Sequence, residues 1–428
     1  MSGGGPSGGL TGQQMVISPR LWGVSTGAAA DNSFTRLASF SSQFATVNPG
    51  IWRVNGNEND RGDTNYWNND LSVNTATFAR IIQFHSTVDP LGISGWVIGA
   101  NINQFAGSPP GTGGTALSNY GTAMRNLATY LLNATMPNGK KFPIIGFESH
   151  NEDDGNPNYD VTPSIRAAYF NAMSASVKSV SSSLLTFGPT CSFFGSQMPT
   201  FQNSATNFDV YDAHMYNQGN DPGVPAVYQQ GAPSAGGTGL TSWPAGKACF
   251  LGEYNISYAC SGANLRNWAS SMFVANTLMQ YADAMPVQAW AGIWDAIGDS
   301  DCGIIAAEDQ PNSGTIYPNG YLIAKGVRTI TGQRWGVTTN STGMRTMAVT
   351  PAAGRFGLMI LNNGQGTRSG SVALSHWPVN SSGNGTINMW RQTSATTADG
   401  VSTPNISVTS GITQSISFPD PSVTILWV

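Results

Sequence analysis

The sequence predicts an α/β fold: a (β/α)8 TIM barrel over residues 16–332, followed by a C-terminal antiparallel β-sandwich domain over residues 333–428. Three observations predict it. From Leu21 to about Ile330, short runs rich in Val, Ile, Trp and Phe alternate with stretches of helical periodicity. The runs mostly lack polar alternation, which is how strands buried on both faces of a parallel sheet read. After Gly332 the helical periodicity stops, and short strands are separated by clusters of Asn, Gly, Ser and Pro, in the manner of a sandwich.

Taken in order, residues 1–15 are Gly/Ser-rich, lack an apolar signal core and read as a flexible leader. Residues 15–20, just before the first barrel strand, are a candidate extra edge strand for the sandwich. The barrel strands are expected at Leu21–Ser25, Gly50–Asn55, Gly95–Asn101, Phe142–Ser149, Leu185–Pro189, Phe208–His214, Ala248–Glu253 and Val287–Trp294. Helices fill the gaps. Thr75–Val88 aligns Phe78, Ile81, Ile82 and Val88, and Tyr120–Leu132 aligns Met124, Leu127 and Leu131. Pro163–Val180 aligns Ile165, Phe170, Met173 and Val177, and Leu265–Tyr281 aligns Trp268, Met272 and Leu278. Spacings of three and four place one buried stripe on each helix. Strands alternating with helices over such a length point to the barrel. A doubly wound open sheet would carry a Gly-rich phosphate loop after its first strand, and none is found. In the second region, strands are expected at Thr346–Thr350, Phe356–Leu361, Gly370–Leu374, Thr386–Arg391 and Val423–Val428.

Composition narrows the partners. Charged residues make up 10% of the 428 positions, against roughly 25% in ordinary domains. Ser, Thr, Asn and Gly fill the polar positions instead, which suits an exported protein or one whose partners are neutral and hydroxyl-rich. The net charge is −4. No basic run is present, so nucleic acid and anionic membrane surfaces are disfavoured as partners, as is a strongly polyanionic substrate. No stretch of 18 apolar residues occurs, so membrane insertion is not expected. The four cysteines form no CxxC pair and the histidines are scattered, which argues against a zinc site. Cys260 and Cys302 fall on neighbouring predicted loops as either a disulfide or two free thiols, and Cys249 reads as a small core residue. There is no Gly-x-Ser-x-Gly elbow, His-Glu-x-x-His helix or P-loop, and no cofactor is implied.

Chemistry in such a barrel sits at the C-terminal ends of the strands. The fourth predicted strand ends Phe147-Glu148-Ser149-His150-Asn151-Glu152, and the seventh ends Phe250-Leu251-Gly252-Glu253-Tyr254. Strands four and seven face each other across the axis, so Glu152 and Glu253 would meet at one mouth. Retaining glycosidases need two carboxyls about 5–5.5 Å apart, and this pair is placed to supply them. Glu148 shares strand parity with Glu152 and is its nearest competitor, but its apolar surroundings favour a buried ion pair.

The Asn-Glu of strand four and the Glu of strand seven resemble clan A of the glycoside hydrolases. Phe147-Glu148-x-x-Asn151-Glu152 resembles the Phe-Glu-x-Trp-Asn-Glu-Pro signature of glycoside hydrolase family thirty-nine, which includes β-xylosidases and exopolysaccharide hydrolases. His150 and Asp153 depart from that signature and are expected to reshape the sugar site. The resemblance implies Glu152 as general acid/base and Glu253 as nucleophile. It implies Arg53, in Trp52-Arg53-Val54, and Tyr216, in His214-Met215-Tyr216, as groups that keep Glu253 ionised. Asn151 would hold the sugar 2-hydroxyl, and Trp294 would floor the reacting sugar. Each has a plainer alternative: surface carboxylates for the two Glu, a core ion pair for Arg53, packing for Tyr216 and Trp294. His214 reads equally as a ligand contact or a satisfied core histidine. Trp67, Trp96, Trp243 and Trp290 are further candidate sugar platforms. A glycan at the Asn255 sequon would block the mouth.

The expectation is therefore a secreted, retaining hydrolase of a plant-wall or microbial polysaccharide or oligosaccharide. The competing readings are a carbohydrate-binding surface protein on an inactive barrel, or another clan A activity such as a β-glucanase, glucuronidase or arabinosidase.

Overall fold

The computed structural model describes residues 11–26, 34–55, 66–100, 102, 105, 111–149, 151–152, 162–191, 197–216, 246–255, 266–285, 287–298, 303–337, 344–352, 355–362, 368–372, 384–409, 414–419 and 421–428. After the strand β1 (Thr11–Ile17) come the barrel strands β2 (Gly23–Thr26), β3 (Trp52–Val54), β4 (Trp96–Gly99), β5 (Ile144–Glu148), β6 (Leu185–Cys191), β7 (Val210–Tyr216), β8 (Ala248–Asn255) and β9 (Ala289–Trp294). Each pairs in parallel with the next, and β9 returns to β2, closing the barrel. The apolar runs became these strands because both their faces are covered. Val24, Trp52, Val54, Trp96 and Ile98 have no exposed surface.

The helices are α1 (Phe34–Ser39), α2 (Ser41–Val47), α3 (Thr75–Val88), α4 (Ala116–Asn133), α5 (Pro163–Val180), α6 (Gln197–Ser204), α7 (Trp268–Ala284) and α8 (Pro318–Thr329). α5 starts where Thr162 caps the Ile165 N–H and Pro163 occupies the first turn. Asn267 caps α7 by accepting from the Ala269 N–H at 2.8 Å. Towards the N-terminal ends of the strands, Ile51, Val97, Ile145, Phe187, Val210, Phe250 and Trp290 form a separate apolar cluster. The Arg20 guanidinium lies 4.7 Å from the Trp290 ring there. This leaves the opposite, C-terminal end of the barrel to polar groups.

Two short strands, β10 (Ile297–Gly298) and β11 (Ile305–Ala306), follow the barrel's last strand. The C-terminal part contains β12 (Gly332–Gly336), β13 (Met344–Thr350), β14 (Gly357–Asn362), β15 (Arg368–Val372), β16 (Asn384–Thr393), β17 (Val401–Thr409), β18 (Gln414–Phe418) and β19 (Ser422–Trp427). A seven-stranded sheet runs β1-β12-β13-β14-β19-β16-β17, and β15 pairs with β18. β1 begins at Thr11, inside the stretch expected as a leader, because its backbone pairs antiparallel with β12 from Thr11 opposite Gly336 to Ile17 opposite Gly332. Alternation along the strands divides the large sheet into two faces. Met347, Val349, Met359, Leu361, Val423 and Ile425 join the barrel's own core. Ala348, Leu358, Ile360 and Leu426 pack with Ile416 and Phe418 of β18. The sheet is thus the middle layer between barrel and β15–β18. Cys249 is buried, as its strand position requires, while Cys260 and Cys302 lie outside the described residues.

Candidate active site

Consecutive strands deliver a connected set of polar side chains to the C-terminal mouth. Arg53 of β3 is fully buried and spends its whole fork there. Its Nε donates to both oxygens of Glu148 of β5 at 2.8 and 2.9 Å. Its Nη1 donates to Glu253 Oε1 of β8 at 2.7 Å and to Ser25 Oγ of β2 at 3.1 Å, and its Nη2 to Asn151 Oδ1 at 2.6 Å. A guanidinium is suited to this because its charge persists on burial and its donors are fixed in a plane. Burial works against the Arg53 charge, but the Glu148 and Glu253 carboxylates outweigh it and hold the group more firmly protonated than usual.

Glu253 is 4% exposed. Its Oε1 also faces Asn55 Nδ2 at 3.4 Å, and its Oε2 accepts the Tyr216 hydroxyl at 2.6 Å. Burial alone would raise its pKa. The His214 and Arg53 charges and the hydrogen bonds from Tyr216 and Arg53 overcome that, leaving Glu253 below the ordinary carboxylate value. Tyr216 shifts the opposite way, well up, through burial and the adjacent Glu253 and Glu152 carboxylates, so its hydroxyl stays a donor.

Backbone irregularities aim these groups. Between β7 and β8 the register passes from Ala213 opposite Leu251 to His214 opposite Glu253, leaving Gly252 as the extra residue of a bulge. Only glycine fits: an added Cβ would run into Asp212 Oδ1 and stand 3.1 Å from Arg53 Nε. The bulge sets Glu253 beside His214. A second shift, between β6 and β7, leaves out Thr190, which holds φ +57°. The Thr190 carbonyl accepts the Glu152 N–H at 3.0 Å, and Glu152 itself holds φ +50°. Two non-glycine residues in the left-handed region, joined by one hydrogen bond, are a local strain of the kind that collects at working sites.

Glu152 has a 30% exposed side chain and reaches in from the end of β5. His214 Nδ1 lies 2.6 Å from Glu152 Oε1 and 3.6 Å from Glu253 Oε2. One oxygen of each carboxylate and this nitrogen all lie within 4.8 Å of one another. Such a trio has the donor types to hold a metal ion. Yet both Glu253 oxygens are already occupied by Tyr216 and Arg53, and the arginine charge opposes a cation there.

The structure therefore gathers Arg53, Asn151, Glu152, His214, Tyr216 and Glu253 at one mouth. Arg53 and His214 have no exposed surface, so they touch the two carboxylates rather than present a face to a ligand. Trp294 ends β9, is partly buried, and is followed by a cis peptide to Asp295. His150 lies outside the described residues, as do Asp153 and Trp243. The remaining tryptophans named as platforms are core residues. Trp67 is 7% exposed and donates to Ala123 O, Trp96 stacks on Trp52, and Trp290 fills the lower barrel. Asn255 is buried and donates to the Trp294 carbonyl, so it offers no surface for a glycan. Sequence reasoning missed Ser25, Asn55 and Asp212. For Asp212 a signal was present, since it precedes His214 by two on one strand and so shares its face.

No family model matches the sequence, and no curated protein resembles it. Solved structures share its fold along nearly the whole chain. A glycoside hydrolase family 30 subfamily 8 xylanase from Clostridium acetobutylicum superposes with a TM-score of 0.62 at 14% identity, covering 99% of this chain and 97% of that one. A glucosidase from Croceicoccus marinus gives 0.65 at 13% identity, covering 98% and 97%. A monomeric β-xylosidase from Caulobacter crescentus gives 0.63 at 10% identity, covering 97% of each chain.

Proposed function

We propose that this protein is a retaining glycoside hydrolase of the clan A type, acting on a neutral or weakly acidic polysaccharide or oligosaccharide. The observation that carries the reading is the approach of Glu152 and Glu253, with carboxylate oxygens within 4.8 Å. Retaining enzymes bring their two carboxyl groups close together, about 5–5.5 Å apart, and this near approach supports that class. The shared fold of the xylanase, glucosidase and β-xylosidase supports the same reading, and the Phe147-Glu148-x-x-Asn151-Glu152 motif narrows it towards family thirty-nine.

In the first half-reaction Glu152, the more exposed carboxyl, gives its proton to the leaving oxygen while Glu253 attacks the anomeric carbon. Glu253 enters ionised, held so by Arg53 and Tyr216, and loses its charge as the glycosyl–enzyme bond forms. Asn151, its carbonyl fixed by Arg53, turns its amide N–H to the sugar 2-hydroxyl. In the second half-reaction Glu152 takes a proton from water, which attacks the same carbon from the vacated side as the bond to Glu253 breaks and returns it to a carboxylate. The hydroxyl-rich, charge-poor composition supports secretion to where such substrates lie. Among the described residues no helix is long and apolar enough to cross a membrane.

The experiment is to incubate the protein with activated fluorosugars and with a panel of aryl glycosides. Product release and a glycosyl mass on the peptide carrying Glu253 are expected. Oligosaccharide binding with no turnover of any substrate and no labelled peptide would instead establish a binding protein on an inactive barrel.

A further inference from the structure

Beneath Glu253 three carboxylates crowd one cation. Glu148 and Asp212 have no exposed surface, Glu253 is 4% exposed, and Arg53 is wholly buried among them. With all three ionised, the buried carboxylates would outnumber the Arg53 charge, and His214 faces only Glu253 among them, an arrangement that buried carboxylates avoid by retaining a proton. The hydrogen bonds identify which one keeps it. Glu253 receives Arg53, Tyr216 and Asn55, and Glu148 receives the Arg53 Nε on both oxygens. Among the described residues Asp212 receives only the Gly252 N–H, at 3.1 Å on Oδ1. Among the described residues nothing donates to its Oδ2, which is buried, and its carboxyl is within hydrogen-bonding reach of Glu148. Two carboxyls meeting this way need one shared hydrogen.

We infer that Asp212 holds a proton at neutral pH and donates it to Glu148, acting as a positioning residue that fixes the Glu148–Arg53 pair and so directs Arg53 Nη1 onto Glu253. Charged or titratable groups face Asp212 from every side: Arg53 from β3, Glu148 from β5, Glu253 from β8 and Tyr281 from α7. Burial and Glu148 both raise the Asp212 pKa, against the pull of Arg53. The effect on turnover rests on Glu253 being the nucleophile; the protonation itself does not.

Infrared difference spectra between wild type and Asp212→Asn at neutral pH test the proton directly. The wild type should show the carbonyl band of a carboxylic acid that the variant lacks. The unfolding equilibrium supplies a second readout that needs no substrate. The native state binds a proton that the unfolded chain releases, so wild-type stability should fall with rising pH relative to Asp212→Asn. The change should be about tenfold in the unfolding constant per pH unit above the ordinary aspartate value. In turnover, Asp212→Asn keeps a donor for Glu148 and should retain most of kcat, whereas Asp212→Ala should lose about tenfold with little change in KM. If Asp212→Asn does not fold, Glu148→Gln replaces it: with the neighbouring charge gone, Asp212 should ionise and the acid band disappear. A wild type without the acid band, or an Asp212→Asn as impaired as Asp212→Ala, overturns the inference. A protein that shows the band but hydrolyses no glycoside would refute the proposed activity and leave Asp212 as assigned.

Discussion

His214 places its Nδ1 2.6 Å from Oε1 of Glu152, and it does so from a position with no exposed surface. The imidazole therefore fixes where the Glu152 carboxyl points. His214→Ala should reduce kcat by roughly 10²-fold, the lower end of what proton transfer contributes. The loss should concentrate on substrates with poor leaving groups and be small for a dinitrophenyl glycoside, which departs without a proton. Paired kinetics on the two substrate types check this. Equal losses on both would mean that His214 serves Glu253 rather than Glu152.

The Tyr216 hydroxyl, 2.6 Å from Glu253 Oε2, is one of the forces holding that carboxylate ionised. Because the folded-state pKa of Glu253 is depressed, its contribution to stability is present above the unfolded value of about 4.3. It is lost as pH falls through the lower folded value. The acid limb of kcat/KM should follow the same group. A hydrogen bond to a charged acceptor is worth about 1.5–3 kcal/mol, so Tyr216→Phe should move the acid limb up by about one to two pH units. The measurement is a pH–rate profile of both forms. A limb that stays in place would show that Tyr216 does not stabilise the ionised carboxylate.

The barrel was legible because strands covered on both faces must be apolar throughout, and the runs from Leu21 to Trp294 say so without any pattern of alternation. Helices α3 and α5 were legible to their ends because Phe78, Ile81 and Ile82, or Phe170, Met173 and Val177, repeat at the period that one buried stripe demands. α1, α2 and α8 were not: they are short, and Gly320 and Gly326 of α8 interrupt the stripe. β17 escaped because Pro404 and a run of exposed Ser, Thr and Asn interrupt the apolar alternation around Ile406. Within the site, Glu152 and Glu253 stood out as carboxylates ending strands. What could not be read was their aim. Glu148 and Glu152 share strand parity, and only the end of β5 and the left-handed turn at Glu152 send one into an ion pair and the other into the mouth. The bulge at Gly252 likewise depends on Asp212 and Arg53 packing over it, which is tertiary information.

That packing makes Gly252→Ala a sharp test. The added methyl would meet Asp212 Oδ1 and crowd Arg53 Nε, and neither is the loose end of a mobile chain, since both are buried in the same network. Overpacking of this sort costs about 1–3 kcal/mol. The expected result is a lower Tm together with a larger proportional loss of kcat, because the displaced Arg53 is the group that orients Glu253. Thermal denaturation and turnover of the same preparation decide it. A variant with wild-type Tm and kcat would show that the bulge can flatten without disturbing the carboxylates.

The sheet and barrel should melt as one unit. Met359 of β14 is fully buried on the sheet face that shares the barrel's core, together with Met347, Val349, Leu361 and Ile425. α7, which leads into β9, packs directly on β13, β14, β16 and β19. A core that is continuous across two layers gives neither layer a surface on which to part while the other stays folded, so the two should unfold together. Met359→Ala should remove about 2–5 kcal/mol and lower one transition rather than split it, as seen by calorimetry alongside near-ultraviolet circular dichroism. The tryptophans report both layers in that experiment, Trp52 and Trp96 in the barrel and Trp390 in the sheet. Two separated transitions in the variant, with the barrel signal unmoved, would show instead that the sheet is an independent domain resting on the barrel.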